Sequence, residues 1–193
     1  PAPPHAQRAE VLTFNSGGSG ARPSLDGMNA TAFPSGVMTM PVEATEQVGP
    51  VLIWRKEPRP DSGGAGQRRG GLGQVMEVGA VEGHEFDLSA MFDRLDHPAR
   101  GRKGGGNGAA TEVMRDDGTR MRGKGKQFVP NGGRVMLAFP GGAGYGPTAD
   151  RDPELVIRDL ARGYISAEAA EKLYGLDAAD VARVLEAVKQ GEA

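Results

Sequence analysis

The sequence predicts an α+β fold, in which a β-rich body with long glycine-rich loops carries a short helical tail at the C-terminus. The 193 residues include 31 glycines and 14 prolines but only 5% aromatic residues, a composition that favours short strands and many turns. Apolar runs alternate with glycine clusters through most of the chain, and helical spacing replaces them near the end. We therefore expect a body over residues 1–147 and a tail over residues 148–193.

Several short segments of the body have the pattern of strands. They cover residues 11–14, 51–58, 72–79, 86–92, 110–114 and 134–139. Residues 86–92 alternate apolar and polar side chains, which is typical of a half-buried strand. The segment Asp116-Asp-Gly118 predicts a hairpin turn after the fifth strand. Because a strand needs neighbours and the first run lies so near the start, we expect the body to be part of a larger domain, stabilised by upstream residues or a partner chain.

Three polar residues of the tail have the character of helix N-caps: Asp152, Ser166 and Asp177. Pro153 directly follows the first of them, at the position where proline suits a helix. Gly163 and Gly175 are expected to end the first two helices. The third helix should continue through Val188, with apolar residues at helical spacing.

The loop from Arg59 to Gly73 is the strongest candidate for a functional site. It places six glycines and several charges between two predicted strands. Glycines let other groups approach the main chain, and guanidinium groups beside main-chain amides can hold an anion. The alternative is a set of turns with a purely structural role. In that case Arg59, Asp61 and Arg69 would fix the loop by charge-assisted hydrogen bonds to each other or to main chain, which we favour.

Two further groups of charges present the same choice between a ligand and loop architecture. Arg22 and Asp26 form one group. The other flanks a second glycine-rich loop and consists of Arg94, Arg100, Arg102 and Lys103. Each could bind a carboxylate or a phosphate. We favour pairing of these arginines with Asp93, Asp96 and nearby carbonyls, because fixed loops need such partners.

The composition gives no support to several classes of function. A net charge of −2 provides no drive toward nucleic acid or an anionic membrane, and no apolar run approaches the length of a bilayer span. The chain has no cysteine, which excludes disulfides and thiolate sites and fits a cytoplasmic location.

Motif searches give little support to nucleotide, metal or triad chemistry within this chain. Residues 118–124 have the spacing of a phosphate loop, but Gly125 stands where serine or threonine is needed, and a strand-like segment follows instead of a helix. The three histidines, His5, His84 and His97, are too scattered to predict a zinc site. No serine elbow motif is present.

The glycine-rich motifs match a known family in order across nearly the whole chain. Two of them are Arg59-Pro-Asp-Ser-Gly-Gly-Ala-Gly66 and Pro140-Gly-Gly-Ala-Gly-Tyr-Gly146. The others cover residues 17–23, 26–27, 32–37, 41–43, 69–73, 93–94, 98–102, 123–125, 151–154, 163 and 174–175. Together they closely resemble the C-terminal third of the hydantoinase B/5-oxoprolinase family. The chain departs from the family at Ala143, where glycine is usual, and at Pro147-Thr148, where Asp-Pro is usual.

The resemblance implies one component of an ATP-dependent cyclic amide hydrolase acting on a hydantoin, an oxoproline or a related lactam. In such systems a hydantoinase A-like subunit binds ATP and phosphorylates the amide oxygen, and the B part delivers the attacking water, in several relatives with a divalent metal. The metal-ligand motifs of the family lie in the upstream part of the B chain. No metal ligand and no catalytic base therefore carries over to this chain.

The resemblance leaves two other functions open. Related ketone carboxylases share the B architecture, and the segment could also be a non-catalytic scaffold. In each case the residues of this chain would shape the substrate side or hold an interface. The candidates for substrate binding or loop fixing are Arg22, Asp26, Arg59, Asp61, Arg69, Arg94 and Arg100.

Overall fold

The computed structural model describes residues 9–32 and 40–191 and confirms the α+β architecture. The strands are β1 (Val51–Pro58), β2 (Gln74–Ala80), β3 (Phe86–Met91), β4 (Glu112–Arg115), β5 (Lys124–Val129) and β6 (Arg134–Ala138). The helices are α1 (Val42–Glu46), α2 (Pro153–Ala161), α3 (Ala167–Tyr174) and α4 (Ala178–Gln190), with a 3-10 turn at Thr148–Asp150. His5 and motif residues 33–37 lie outside the described residues.

The strands form two antiparallel sheets within the described part of the chain. Four of them pair in the order β1-β2-β6-β4, and β3 pairs with β5. In the larger sheet Val78 lies opposite Val135, and a bulge interrupts β1 between Ile53 and Arg55. The core of the body is an apolar cluster that includes Met76, Val113, Val129, Val135, Leu137 and Phe139. In β6 the buried Val135 and Leu137 alternate with the half-buried Arg134 and Met136, which is the period-two pattern of a strand.

The predicted strand at residues 11–14 is wrong. These residues belong to no sheet, and the side chains of Leu12 and Phe14 are 68% and 69% exposed. The segment lies beside Ile53 and Met76 and lines a groove with them. An apolar run becomes a strand only where it meets a free hydrogen-bonding edge, and this run lies along side chains instead. Helix α1 is not predicted from the sequence, because its N-cap is Pro41, which makes no side-chain hydrogen bond to mark the start of a helix.

The tail helices begin where the polar residues indicated. The side chains of Asp152, Ser166 and Asp177 accept hydrogen bonds from main-chain N–H groups of α2, α3 and α4 at 3.0, 3.1 and 2.8 Å. Gly175 ends α3 in the left-handed conformation. The three helices bury an apolar cluster of their own, which includes Val156, Leu160, Ile165, Ala170, Val181 and Val184. Within residues 9–32 and 40–191, no helix has the length and apolar character needed to cross a bilayer.

Four glycine-rich segments meet beside the larger sheet, and we call them together the glycine core: residues 17–20, 62–73, 101–108 and 140–146. Their main chains hydrogen-bond directly to one another. The N–H of Gly64 donates to the Gly142 carbonyl at 2.8 Å, that of Gly142 to Gly71 at 2.9 Å, and that of Gly71 to Ser19 at 2.8 Å. A methyl group placed on Gly142 would lie 1.8 Å from the Ser19 oxygen. The main chains therefore pack at distances that only glycine permits.

Candidate functional site

A network of charged side chains joins the glycine core to the tail. We call it the arginine–carboxylate network, and its members are Asp26, Arg69, Arg151, Arg158 and Asp159. Asp159 is fully buried, and Arg69 and Arg151 are 3% and 4% exposed. Asp159 lies on the buried face of α2 with Val156 and Leu160. Because the residue at which a helix begins sets which positions share its buried face, the N-cap of α2 places this carboxylate inside the protein.

Arg151 is the centre of the network. Its two terminal nitrogens donate to the two carboxylate oxygens of Asp26, each at 2.9 Å, in a bidentate pair. Nη2 also donates to Oδ2 of Asp159 at 2.6 Å. Arg69 donates to the same Asp159 oxygen through Nε at 3.0 Å, and its main-chain N–H donates to Asp26 at 2.8 Å. Arg69 and Arg151 thus both donate to each carboxylate. Several charge-assisted hydrogen bonds to one carboxylate fix both its distance from the arginines and its orientation.

The contact between Asp26 and Arg151 favours the charged form of both groups. Burial alone would raise the pKa of Asp26, but the hydrogen bonds and charge of Arg151 outweigh it and hold that pKa below its usual value. Burial likewise opposes the charged form of Arg151, and the contact with Asp26 outweighs it, so the pKa of Arg151 is raised. Burial also raises the pKa of Tyr174, whose ring lies beside the Arg151 guanidinium.

The chemical consequence is that Asp26 is poorly suited to general-base catalysis. A carboxylate held by guanidinium groups loses those contacts when it takes a proton, so it is a weak base. One oxygen, Oδ1 of Asp159, has no hydrogen-bond partner within the described residues, although a terminal nitrogen of Arg158 lies 3.5 Å away. The arrangement is suited to holding two parts of the fold together.

Arg59 and Asp61 hold the Arg59–Gly73 loop to other segments of the chain. The Arg59 guanidinium donates to the Ala110 carbonyl at 2.7 Å and to Glu112 at 2.6 Å. The Asp61 carboxylate accepts from the Ser166 N–H at 2.8 Å, and its own N–H donates to the Tyr164 carbonyl at 3.1 Å. The loop is therefore anchored to β4 and to the start of α3. Asp61, Arg59 and Arg69 do not bond to one another.

The second group of charges is arranged differently from the expected pairing. Arg94 and Arg100 are exposed, and neither side chain has a hydrogen-bond or ion-pair partner within residues 9–32 and 40–191. Asp93 instead accepts from Lys124 at 2.8 Å, and the hydrogen bond and charge of Lys124 lower the pKa of Asp93. The expected pairing of Asp93 with these arginines is wrong because β3 ends opposite the start of β5, which brings Lys124 to Asp93 from across the sheet. Arg22 is also exposed.

The described residues contain no group of three or more histidine or carboxylate side chains placed to hold a metal ion. The phosphate-loop spacing at residues 118–124 ends in β5, a strand, as the sequence indicated. Neither observation identifies a reacting group within the described part of the chain.

Arg151, Arg158 and Asp159 are the three network members that are not among the residues predicted from the sequence. Arg151 belongs to the motif at residues 151–154, but its partner Asp26 is 125 positions away. Asp159 carried a usable signal, because a charged residue between Val156 and Leu160 on the apolar face of an amphipathic helix requires a buried partner.

The family model for hydantoinase B/oxoprolinase matches residues 3–148. The chain belongs to the hydantoinase B/oxoprolinase family. Two curated relatives illustrate its range. The caprolactamase subunit beta of Pseudomonas jessenii is 30% identical over 177 residues, which cover 86% of this chain. The acetophenone carboxylase delta subunit of Aromatoleum aromaticum is 28% identical over 204 residues, covering the same share of this chain.

A solved structure of a family relative has the same fold. The crystal structure of the ATP-dependent caprolactamase from Pseudomonas jessenii matches 94% of this chain with a TM-score of 0.74 and 26% sequence identity. The match covers 33% of that chain, and this chain spans 30% of the length of each of the two curated hydantoinase B-family relatives. The structure therefore corresponds to about a third of a larger family architecture.

Proposed function

We propose that this chain is the C-terminal part of the B component of an ATP-dependent cyclic amide hydrolase, which works with an ATP-using, hydantoinase A-like component. The likeness to the ATP-dependent caprolactamase across 94% of the chain carries the proposal. The proposed substrate is a hydantoin, an oxoproline or a related lactam. In this proposal ATP is bound by the partner, and any divalent metal by the upstream part of the B chain, where the family has its ligand motifs.

Within that enzyme we propose two roles for the candidate residues. Asp26, Arg59, Asp61 and Arg69 hold the loops in shape, as their hydrogen bonds to distant segments suggest. Three exposed arginines, Arg22, Arg94 and Arg100, contact the substrate side or the partner component. We also place the enzyme in the cytoplasm, where ATP is supplied and proteins rarely contain disulfides, which this cysteine-free chain cannot form.

A ketone carboxylase subunit is the second candidate function. The observation that favours it is the 28% identity to the acetophenone carboxylase delta subunit over 86% of this chain. In both proposed reactions ATP activates an oxygen of the substrate. The hydrolase then adds water to the amide, whereas the carboxylase adds a carbon derived from bicarbonate to the ketone.

Product analysis distinguishes the two functions. The complete B chain, produced with its A-like partner, is incubated with ATP and hydantoin, 5-oxoproline or caprolactam, and separately with acetophenone and bicarbonate. We expect a ring-opened acid from at least one cyclic amide, dependent on ATP and independent of bicarbonate. The 193-residue chain alone should be inactive on the same amides with or without ATP, because activation requires the A component. Carboxylated ketone without any ring-opened product would refute the hydrolase assignment.

A further inference from the structure

A cleft of about 390 Å³ opens between the turn at residues 22–26 and α2. Its lining residues are Arg22, Leu25, Asp26, Arg68, Leu155 and Arg158. We propose that this cleft binds a small organic acid, with the carboxylate held by the arginines and the apolar part packed on the leucines. The assignment is the same whether the complete protein hydrolyses an amide or carboxylates a ketone.

Arg68 is the first observation that points to a ligand. Its Nε is buried and has no hydrogen-bond partner within the described residues. Its main chain is fixed by two hydrogen bonds with Tyr145, both 2.9 Å, so the side chain starts from a rigid position. The neighbouring Arg69 instead donates to Asp159 in the arginine–carboxylate network. The terminal nitrogens of Arg68 also have no partner within the described residues, and Arg68 is one of the residues that line the cleft. These N–H groups can therefore donate to an oxyanion there.

Arg22 and Arg158 add donors on the other sides of the cleft. Arg22 lies in a turn closed by two main-chain hydrogen bonds with Leu25, at 2.9 and 3.4 Å, and its exposed side chain has no partner in the part of the chain described. Arg158, on α2, makes only long contacts, 3.4 Å to Asp26 and 3.5 Å to Asp159. Both guanidinium groups therefore keep N–H donors for a ligand.

The balance of charge in the cleft favours an anion. Asp26 is the one carboxylate among the lining residues, against three arginines, and Arg151 already binds both of its oxygens. The chain as a whole carries a net charge of −2, so the excess of arginines at the cleft is opposite in sign to the overall charge. Three guanidinium groups around a space of ligand size form a typical carboxylate-binding arrangement.

The leucines decide between an organic acid and a free inorganic anion. Leu25 is 54% exposed, and Leu155, on α2, also lines the cleft. These two side chains offer an apolar surface that an inorganic phosphate would leave in water. A carboxylate with several methylene groups would cover it, and burial of that surface adds to the binding free energy.

Calorimetric titration of the complete B chain with sodium hexanoate tests the proposal. Hexanamide serves as the matched neutral probe. Inorganic phosphate serves as an anion that has no apolar group. We expect hexanoate to bind and to bind more tightly than either. Replacing Arg68 or Arg22 by glutamine should weaken hexanoate binding about tenfold, the effect of one lost charge-assisted contact. Arg120→Gln is the control, because this exposed arginine removes the same charge outside the cleft and should leave Kd within about twofold.

Each contrary result overturns the proposal. Equal affinity for hexanoate and hexanamide, or tighter binding of phosphate, would exclude recognition of an organic carboxylate. Hexanoate binding that survives both Arg22→Gln and Arg68→Gln would place the site elsewhere. No hexanoate binding by the complete chain would also overturn it, including the case where an acidic upstream segment fills the cleft. If Arg68→Gln fails to fold, Arg22→Gln decides, since the Arg22 side chain is exposed.

Discussion

Gly142→Ala should destabilise the protein by more than about 3 kcal/mol or prevent its folding. The added methyl group would lie 1.8 Å from the main-chain oxygen of Ser19 and 2.2 Å from its carbonyl carbon. A flexible side chain could move aside, but Ser19 accepts a hydrogen bond from Gly71, which in turn accepts one from Gly142. Relieving the clash therefore breaks contacts in three segments of the glycine core. Urea unfolding of the complete chain, followed by circular dichroism, measures the loss.

Gly20→Ala is the matched control in the same region. A methyl group there would lie 4.0 Å from its nearest neighbour, the Ala143 oxygen, which is ordinary van der Waals contact. We expect a change in stability smaller than about 1 kcal/mol, in either direction. Similar losses for Gly20→Ala and Gly142→Ala would mean that the close approach of main chains is not what requires glycine at residue 142.

Asp159→Ala should cost about 3–5 kcal/mol, the usual effect of removing one partner from a buried ion pair. Asp159 is fully buried and accepts from Arg69 at 3.0 Å and from Arg151 at 2.6 Å. Its loss leaves three arginines, Arg69, Arg151 and Arg158, around the single carboxylate of Asp26. The network connects α2 to the glycine core. In Asp159→Ala the tail helices should therefore unfold before the sheet does.

Glu186→Ala controls for the removal of a carboxylate from a tail helix. Glu186 is exposed on α4 and lies 3.8 Å from Lys189, so its removal should cost less than about 0.5 kcal/mol. Thermal unfolding of the complete chain compares the two variants. Equal melting temperatures for Asp159→Ala and Glu186→Ala would show that the arginine–carboxylate network does not hold the tail in place.

The parts of the fold that depend on neighbouring residues could be predicted from the sequence. The N-caps Asp152, Ser166 and Asp177 bond to amides two or three residues away, so the signal and its partner lie in the same short segment. Most of the strands followed from apolar periodicity for the same reason. The run at residues 11–14 shows the limit, since its composition says nothing about whether a strand edge is free to pair with it.

The contacts that make the candidate site could not be predicted because they join distant positions. Asp26 meets Arg151 across 125 positions, and Arg69 meets Asp159 across 90. The sequence offered Asp93 several nearby arginines, and the pairing of β3 with β5 gave it Lys124 instead. Proximity along the chain is a poor guide to ion pairs once strands bring remote charges together.

The glycine-rich loops illustrate the same limit on a larger scale. The sequence permitted either a flexible ligand-binding loop or a knot of turns, and the glycines are compatible with both. Gly142 and Gly141 are required because the carbonyls of Ser19 and Ser62 come within 1.8 and 1.6 Å of where their side chains would begin. That requirement depends on the other segments, which lie about 80 or more residues earlier in the chain.

Hydrogen–deuterium exchange of the complete chain is the most direct measurement of whether the glycine-rich segments form a rigid core. We expect the amides of Gly64, Gly71 and Gly142 to exchange as slowly as those of β2 and β6, because each donates to a main-chain carbonyl of another segment. The exposed turn at residues 131–132 provides the fast reference within the same molecule. Exchange of the three glycine amides at the rate of that turn would contradict a hydrogen-bonded glycine core.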